Sequence, residues 1–366
     1  MRTARAAVMP AFQRDLEIRE YPLNESLAPG EALVRVTMAG ICGTDVHLWK
    51  GELPIPTPVI LGHETVGVIE AMGEGLDKDW AGNPLAPGDR ITWASSITCG
   101  ECYYCRHKRV PTRCLARKAY GISYDSSEAP HFRGGYAEWI LLRKGSSIFR
   151  LPAELSTEAV VGAGCALNTA IQGLERIGLS PGESIVIQGA GPVGLAALAV
   201  ALDHGAHPVV VVGGPAHRLE RALEMGASAT VDLEAHPTPK ARLEEIRRLV
   251  GPYGADVVVE CVGHPAAVPE GLELPRDGGR YLVLGQYANA GNVEFNPHVI
   301  TRKQLDIKGS WAFEPRHVHA ALSMLQRKDW GKHFEAQISH RFPLDSANEA
   351  LQTVTRLEAG KAVIEP

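Results

Sequence analysis

Between Ser184 and Leu202 the chain carries no charged residue, and two apolar rhythms lie on either side of a glycine cluster. Ile185-Val186-Ile187-Gln188 is β-branched and continuous, as a strand buried on both faces requires. Leu195-Ala-Ala-Leu-Ala-Val-Ala-Leu202 is composed of helix formers. The 19 uncharged positions approach the length of a membrane span, but Gly189, Gly191, Pro192 and Gly194 divide them, so the pattern predicts a strand, a turn and a helix. Similar apolar runs follow at Pro208–Val212, Ala255–Glu260, Arg280–Gly285 and Gln304–Ile307. Apolar strands alternating with mixed segments predict an α/β fold, a doubly wound parallel sheet.

Length changes this picture by adding a second domain, because 366 residues exceed the usual size of one hydrophobic core. With 45% apolar and 22% charged residues the chain is ordinary globular material. A net charge of −5 supplies no electrostatic drive toward nucleic acid or an anionic membrane, which excludes both as expected partners. No repeat of 20 to 50 residues supports a solenoid or propeller. Near the N-terminus Ala6-Ala7-Val8-Met9 is too short for a signal-peptide core, so a cytoplasmic location is expected.

A reducing cytoplasm argues against disulfides, which leaves metal binding, catalysis or packing to explain seven cysteines. Cys99, Cys102, Cys105 and Cys114 form C-x2-C-x2-C-x8-C in a polar segment. Four thiolates at such spacing suit one tetrahedral zinc, and a closed four-sulfur shell makes that zinc structural. A nucleic-acid-binding zinc ribbon is the rival, disfavoured by the acidic whole and by the lack of two paired C-x2-C knuckles. Upstream lie Gly40-Ile-Cys42-Gly-Thr44-Asp45-Val-His47 and Gly62-His63-Glu64, with Gly164-Cys165 much later. Brought together, two thiolates and an imidazole would give three protein ligands and an open fourth position, the pattern of a catalytic zinc. Taken singly, each cysteine could equally be a small core residue and His63 a core histidine.

Gly189-Ala-Gly191-Pro192-Val193-Gly194 is G-x-G-x-x-G between a predicted strand and a predicted helix. That context makes it a dinucleotide fingerprint: the glycines allow the tight turn, the approach of backbone to pyrophosphate and close helix packing.

With these motifs in this order, joined by Gly134-Gly135-Tyr136-Ala137-Glu138, the chain resembles the zinc-dependent medium-chain dehydrogenase/reductase family, of alcohol and polyol dehydrogenase type, over nearly its whole length. The resemblance implies a GroES-like, β-rich catalytic domain over residues 1–160, a Rossmann domain over 161–308 and a catalytic-domain return over 309–366. It implies two zincs per chain, the catalytic one on Cys42, His63 and Cys165, and reversible hydride transfer between an alcohol and a nicotinamide cofactor. Thr44 and His47 become the proton relay, and Asp45 and Glu64 supporting carboxylates around the ligands. Gly189, Gly191, Pro192, Val193, Gly194, Gly213, Gly214, His217, Arg218, Val262 and Gly285 become the cofactor contacts.

Two departures bear on detail. The last gap of the cysteine lobe is x8 where most relatives have x7, and the structural zinc is expected to survive it. Gly213 stands where an acidic residue selects NAD, with His217 and Arg218 following, which favours NADP over NAD. Cys261, left over at a strand end, is read as packing. Walls near Trp93, Ser95, Ser96, Gln286 and Tyr287 would be moderately polar, favouring a polyol, an amino-alcohol or a polar aldehyde or ketone as the small-molecule substrate. A zinc-free quinone or enoyl reductase and a non-catalytic zinc and nucleotide sensor are the alternatives. The family's habit implies a homodimer or homotetramer.

Overall fold

The computed structural model describes residues 2–366, and its packing divides the chain into two compact units: Met1–Cys165 with Glu314–Pro366, and Ala166–Phe313. In the first unit a seven-stranded sheet runs in the order Ile148–Arg150, Arg90–Trp93, Glu64–Met72, Ala32–Ile41, Lys361–Glu365, Ile338–Pro343, with Trp139–Leu142 also pairing Ala32–Ile41. Ala32–Ile41 is the organising strand. Most of its residues are buried, because three strands pair with it along its length. Its register sets Gly40 opposite Glu64 on one side and Val363 on the other, so the chain entering Cys42 lies beside the starts of two neighbouring strands. Fully buried Leu61, Tyr120, Tyr136, Ile60 and Ile91 fill the core.

The second unit is a six-stranded parallel sheet. Ile185–Gln188, Val209–Gly213, Ala229–Asp232, Ala255–Glu260, Pro275–Val283 and Asp306–Gly309, taken as first to sixth, lie side by side in the order third, second, first, fourth, fifth, sixth. The direction of winding reverses between the first and fourth strands, where such sheets open to receive a ligand. Helix Pro192–Asp203 is buried over most of its surface, which is why its sequence is apolar all round. The sixth strand begins later than the expected Gln304: that residue has φ 51° and caps helix His298–Lys303, so extended backbone resumes only at Asp306. Among the described residues no helix is long and apolar enough to cross a membrane.

Candidate functional site

Three stretches distant in sequence converge in the first unit. Cys42 ends the organising strand's run and is the N-cap of helix Gly43–Lys50, its Sγ accepting from the Thr44 N–H at 3.4 Å while Asp45 Oδ2 accepts from the Cys42 N–H at 2.9 Å. A sulfur at a helix N-terminus is well placed to carry negative charge. His63 directly precedes strand Glu64–Met72. Cys165 follows a break in helix Thr157–Ile177, where Gly164 adopts φ 48° and ψ −148°. The break is obligatory for glycine, since a Cβ there would lie 2.2 Å from Glu64 Oε1. It turns the Cys165 N–H toward that carboxylate, which accepts it at 2.6 Å.

The donor atoms of Cys42, His63, Glu64 and Cys165 all lie within 4.8 Å of one another. Their electrostatics fit a cation. The Cys42 and Cys165 sulfurs lie 3.4 Å apart and share a hydrogen bond, which pulls the Cys42 thiol down to about 5 against burial and, with burial, pushes Cys165 up. Burial opposes charge on His63, but the Asp45 carboxylate and the Cys42 sulfur outweigh it and raise the imidazole well above its ordinary value. Two sulfurs and an imidazole whose charged forms favour one another form a donor set that could hold a metal cation. His63 Nδ1 faces Asp45 Oδ1 at 3.3 Å, and neither atom has another hydrogen-bond partner. With Nδ1 facing Asp45, Nε2 is the ring nitrogen left available to a metal.

Three partners in this cluster escaped the sequence. Lys361 pairs with Glu64 Oε2, both side chains buried, and although burial alone would raise the Glu64 carboxyl, the Lys361 ammonium and His63 hold it down to about 2. The Tyr136 hydroxyl donates to Asp45 Oδ2 at 2.9 Å from a fully buried ring. Glu52 Oε2 lies 2.5 Å from His47 Nδ1. Glu52 was findable: Gly51 caps the helix with φ 79°, and that turn folds the next residue back onto the last turn. Lys361 and Tyr136 carry no local signal. Thr44 is half-buried and His47 partly exposed, both on the helix that Cys42 caps.

The sulfurs of Cys99, Cys102, Cys105 and Cys114 also lie within 4.8 Å of one another. Backbone N–H groups of Cys99 and Cys102 point at Cys114 Sγ (3.3 Å) and Cys99 Sγ (3.4 Å). Those of Leu115 and Cys105 pull the Cys102 thiol down to about 6. The long final gap is taken up by a π-helical turn at Tyr103–His107, left-handed Arg109 and a 3-10 turn at Pro111–Arg113. Cys261 joins neither cluster; its thiol is pushed well up by burial. Trp93 and Ser95 are buried, and the Ser96 hydroxyl accepts from Arg117, so its polarity is used within this unit.

In the second unit Gly189 follows the first strand with φ 102°, Gly191 is the N-cap of helix Pro192–Asp203, and a Cβ on Gly194 would lie 1.9 Å from the Gly189 carbonyl. Pro192 is exposed and Val193 half-buried at the helix start. Gly213 ends the second strand, Gly214 follows, His217 is exposed and Arg218 half-buried. Val262 and Gly285 follow the fourth and fifth strands. Tyr287 stacks on Trp311 with ring centroids 5.9 Å apart.

Residues 28–153 match the alcohol dehydrogenase GroES-like domain and residues 192–327 the zinc-binding dehydrogenase domain. Over 370 residues the chain is 37% identical to 5-exo-hydroxycamphor dehydrogenase of Pseudomonas putida, covering 100% of this chain and 98% of that protein. It belongs to the zinc-dependent medium-chain dehydrogenase/reductase family. An alcohol dehydrogenase from Thermotoga maritima superposes on this dehydrogenase with a TM-score of 0.95 at 34% identity, each chain covered completely. A zinc-binding dehydrogenase from Sinorhizobium meliloti, bound to NADP, gives 0.85 at 30% identity, again with complete coverage of both. The dehydrogenase is an oxidoreductase of the alcohol and polyol class, acting on CH–OH groups with a nicotinamide cofactor.

Proposed function

We propose that this dehydrogenase interconverts a secondary alcohol and its ketone with NADP, using one zinc held by Cys42, His63 and Cys165 and a second, structural zinc held by Cys99, Cys102, Cys105 and Cys114. The observation that carries the reading is the convergence of two thiols and an Asp45-oriented imidazole within 4.8 Å. Zinc bound by three protein ligands supplies Lewis acidity toward an alcohol or carbonyl oxygen. The chain's own residues do the rest. Thr44 Oγ1 is the hydrogen-bond acceptor for the substrate hydroxyl, and His47, with its side chain 41% exposed, is the group that exchanges protons with solvent. Glu52 holds His47 at Nδ1 and leaves Nε2 free for transfer. Asp45 orients His63, and Glu64 with Lys361 holds Cys165 through its backbone N–H.

A secondary alcohol is supported by the 37% identity to an enzyme named for 5-exo-hydroxycamphor, whose hydroxyl is secondary. NADP is supported by the absence of a carboxylate at Gly213, by the NADP in the Sinorhizobium meliloti relative, and by Arg218. Burial lowers that guanidinium, and a phosphate beside it would supply the counter-charge. Assembly into a homodimer or homotetramer through the sheet edge Asp306–Gly309, where Ile307 is exposed, belongs to the same reading.

The test is kcat/KM for a panel of bicyclic, polyol and amino secondary alcohols under each cofactor. NADP is expected to give the higher value, and Arg218→Ala to raise KM for NADP about tenfold or more while leaving NAD nearly unchanged. A higher kcat/KM with NAD in the wild type overturns the cofactor assignment.

A further inference from the structure

Arg90 opens strand Arg90–Trp93, which pairs with Glu64–Met72 on one side, setting Val66 opposite Thr92 and Val68 opposite Arg90, and with Ile148–Arg150 on the other. The Thr92 hydroxyl donates to the Thr65 carbonyl at 2.9 Å, so this strand is fastened to the chain just after His63.

The Arg90 guanidinium binds a different part of the chain. Its Nη2 donates to the carbonyl of Leu155, to that of Pro152 at 2.8 Å and, at 3.5 Å, to that of Ala153, while Nη1 donates to Thr157 Oγ1 at 3.4 Å. The Arg90 carbonyl in turn accepts from the Leu151 N–H at 2.8 Å. Three carbonyls and a hydroxyl thus converge on one cation. A planar, weakly hydrated fork with five N–H donors can serve such a set, whereas an ammonium is a compact point charge that cannot span it.

These acceptors form the turn into helix Thr157–Ile177, which Ser156 starts by accepting from the Ala159 N–H at 3.0 Å. From Thr157 to the break at Gly164 the helix has no slack. Ala159, Val161 and Ala163 are buried, and a Cβ on Gly162 would lie 2.2 Å from the Phe334 carbonyl. The stretch Thr157–Ala163 advances about 10 Å as one stiff piece, so the place where the turn holds Thr157 decides where Cys165 emerges. The segments bearing His63 and Cys165 are therefore joined twice: directly, by the Cys165 N–H to Glu64, and again at the far end of the helix, through Arg90. We propose that Arg90 is a positioning residue for the metal centre: its guanidinium holds the helix that delivers Cys165 against the sheet that delivers His63. The proposal rests on the zinc reading above.

The experiment titrates the intact apo-protein with cobalt(II), read by the thiolate charge-transfer absorption, and the zinc-loaded protein with a competing chelator, read as metal per chain. The difference spectrum between wild type and Cys42→Ala assigns the band of the Cys42–His63–Cys165 site. Arg90→Ala is expected to shift that band and to weaken metal at this site about tenfold or more, with the four-cysteine site changed less than about twofold. Arg90→Lys keeps the charge without the fork, is expected to weaken the same site in the same direction, and carries the test if Arg90→Ala does not fold. Equal weakening of both sites, or a lower Tm with unchanged metal affinity, assigns Arg90 to the general integrity of the unit and overturns the proposal. Unchanged affinity in both variants overturns it as well. Wild-type protein whose metal content is unaffected by Cys42→Ala removes the zinc reading itself and the proposal with it.

Discussion

Lys361→Met tests whether the Glu64–Lys361 pair holds the first unit together. Both side chains are buried, at 5% and 1% exposure, and each is the other's counter-charge. Burial works against the Glu64 carboxylate, yet Lys361, His63 and the Cys165 N–H together hold it at about 2 against an ordinary 4.5, a net stabilisation of about 3 kcal/mol at neutral pH. Removing one partner of a buried pair typically costs about 3–5 kcal/mol, because the remaining charge has no compensation. The two figures agree, and for a unit of this size they correspond to a fall in Tm of roughly 10 °C. Glu64→Gln should cost a similar amount, while the double variant should recover most of the loss, since neutral Met and Gln leave nothing uncompensated. The sign of the pH dependence follows from the lowered carboxyl: its contribution is complete above about 4.5 and is lost as pH falls from there toward 2. The gap between wild type and Glu64→Gln should therefore close on acidification. Scanning calorimetry of the four proteins at neutral and acid pH decides it. A Lys361→Met protein that melts within about 2 °C of wild type, or a double variant below both singles, refutes the reasoning.

Tyr136→Phe removes the hydroxyl that donates to Asp45 at 2.9 Å, leaves the fold's packing intact and should weaken zinc at the Cys42 site about 10- to 100-fold, measured by chelator competition, with the four-cysteine site unaffected. Cys42→Ala should lower zinc from two to about one per chain and abolish alcohol oxidation with little change in Tm, whereas Cys99→Ser should lower zinc equally but depress Tm strongly; elemental analysis and melting curves separate the two, and one zinc unchanged by Cys42→Ala contradicts the catalytic assignment.

What the sequence disclosed depended on how far apart the interacting residues lie. C-x2-C-x2-C-x8-C and G-x-G-x-x-G are legible because each site is assembled within one short segment whose backbone conformation its own glycines and turns dictate. Cys42, His63 and Cys165 are not local, and only resemblance grouped them; the register of Gly40 against Glu64 and the break at Gly164 are what the sequence could not display. Lys361 lies 297 positions from Glu64, and a lysine opening the apolar run Ala362-Val-Ile364 reads as a strand-end surface residue until the register buries it. Gln304 misled for the opposite reason: the apolar pattern continues through it, but a left-handed cap ends the helix there and postpones the strand.

The same contrast bears on which substitutions the proposed zinc site would tolerate. Its buried carboxylates each have a partner: Asp45 faces the His63 ring and accepts from Tyr136, and Glu64 pairs with Lys361, while the thiolates of Cys42 and Cys165 would face the proposed dication. Each carboxylate also fixes a backbone segment: Asp45 the Cys42 N–H, Glu64 the Cys165 N–H. Neutralising one side of a pair then does double damage, leaving a charge unpaired in a low-dielectric setting and releasing a ligand's main chain. Neutralising both sides does only the second. Carboxylate-to-amide changes made together with loss of the matching cation should therefore retain more zinc than either change alone, and the order of damage among single variants should follow burial, with Asp45, at 0% exposure, the least replaceable.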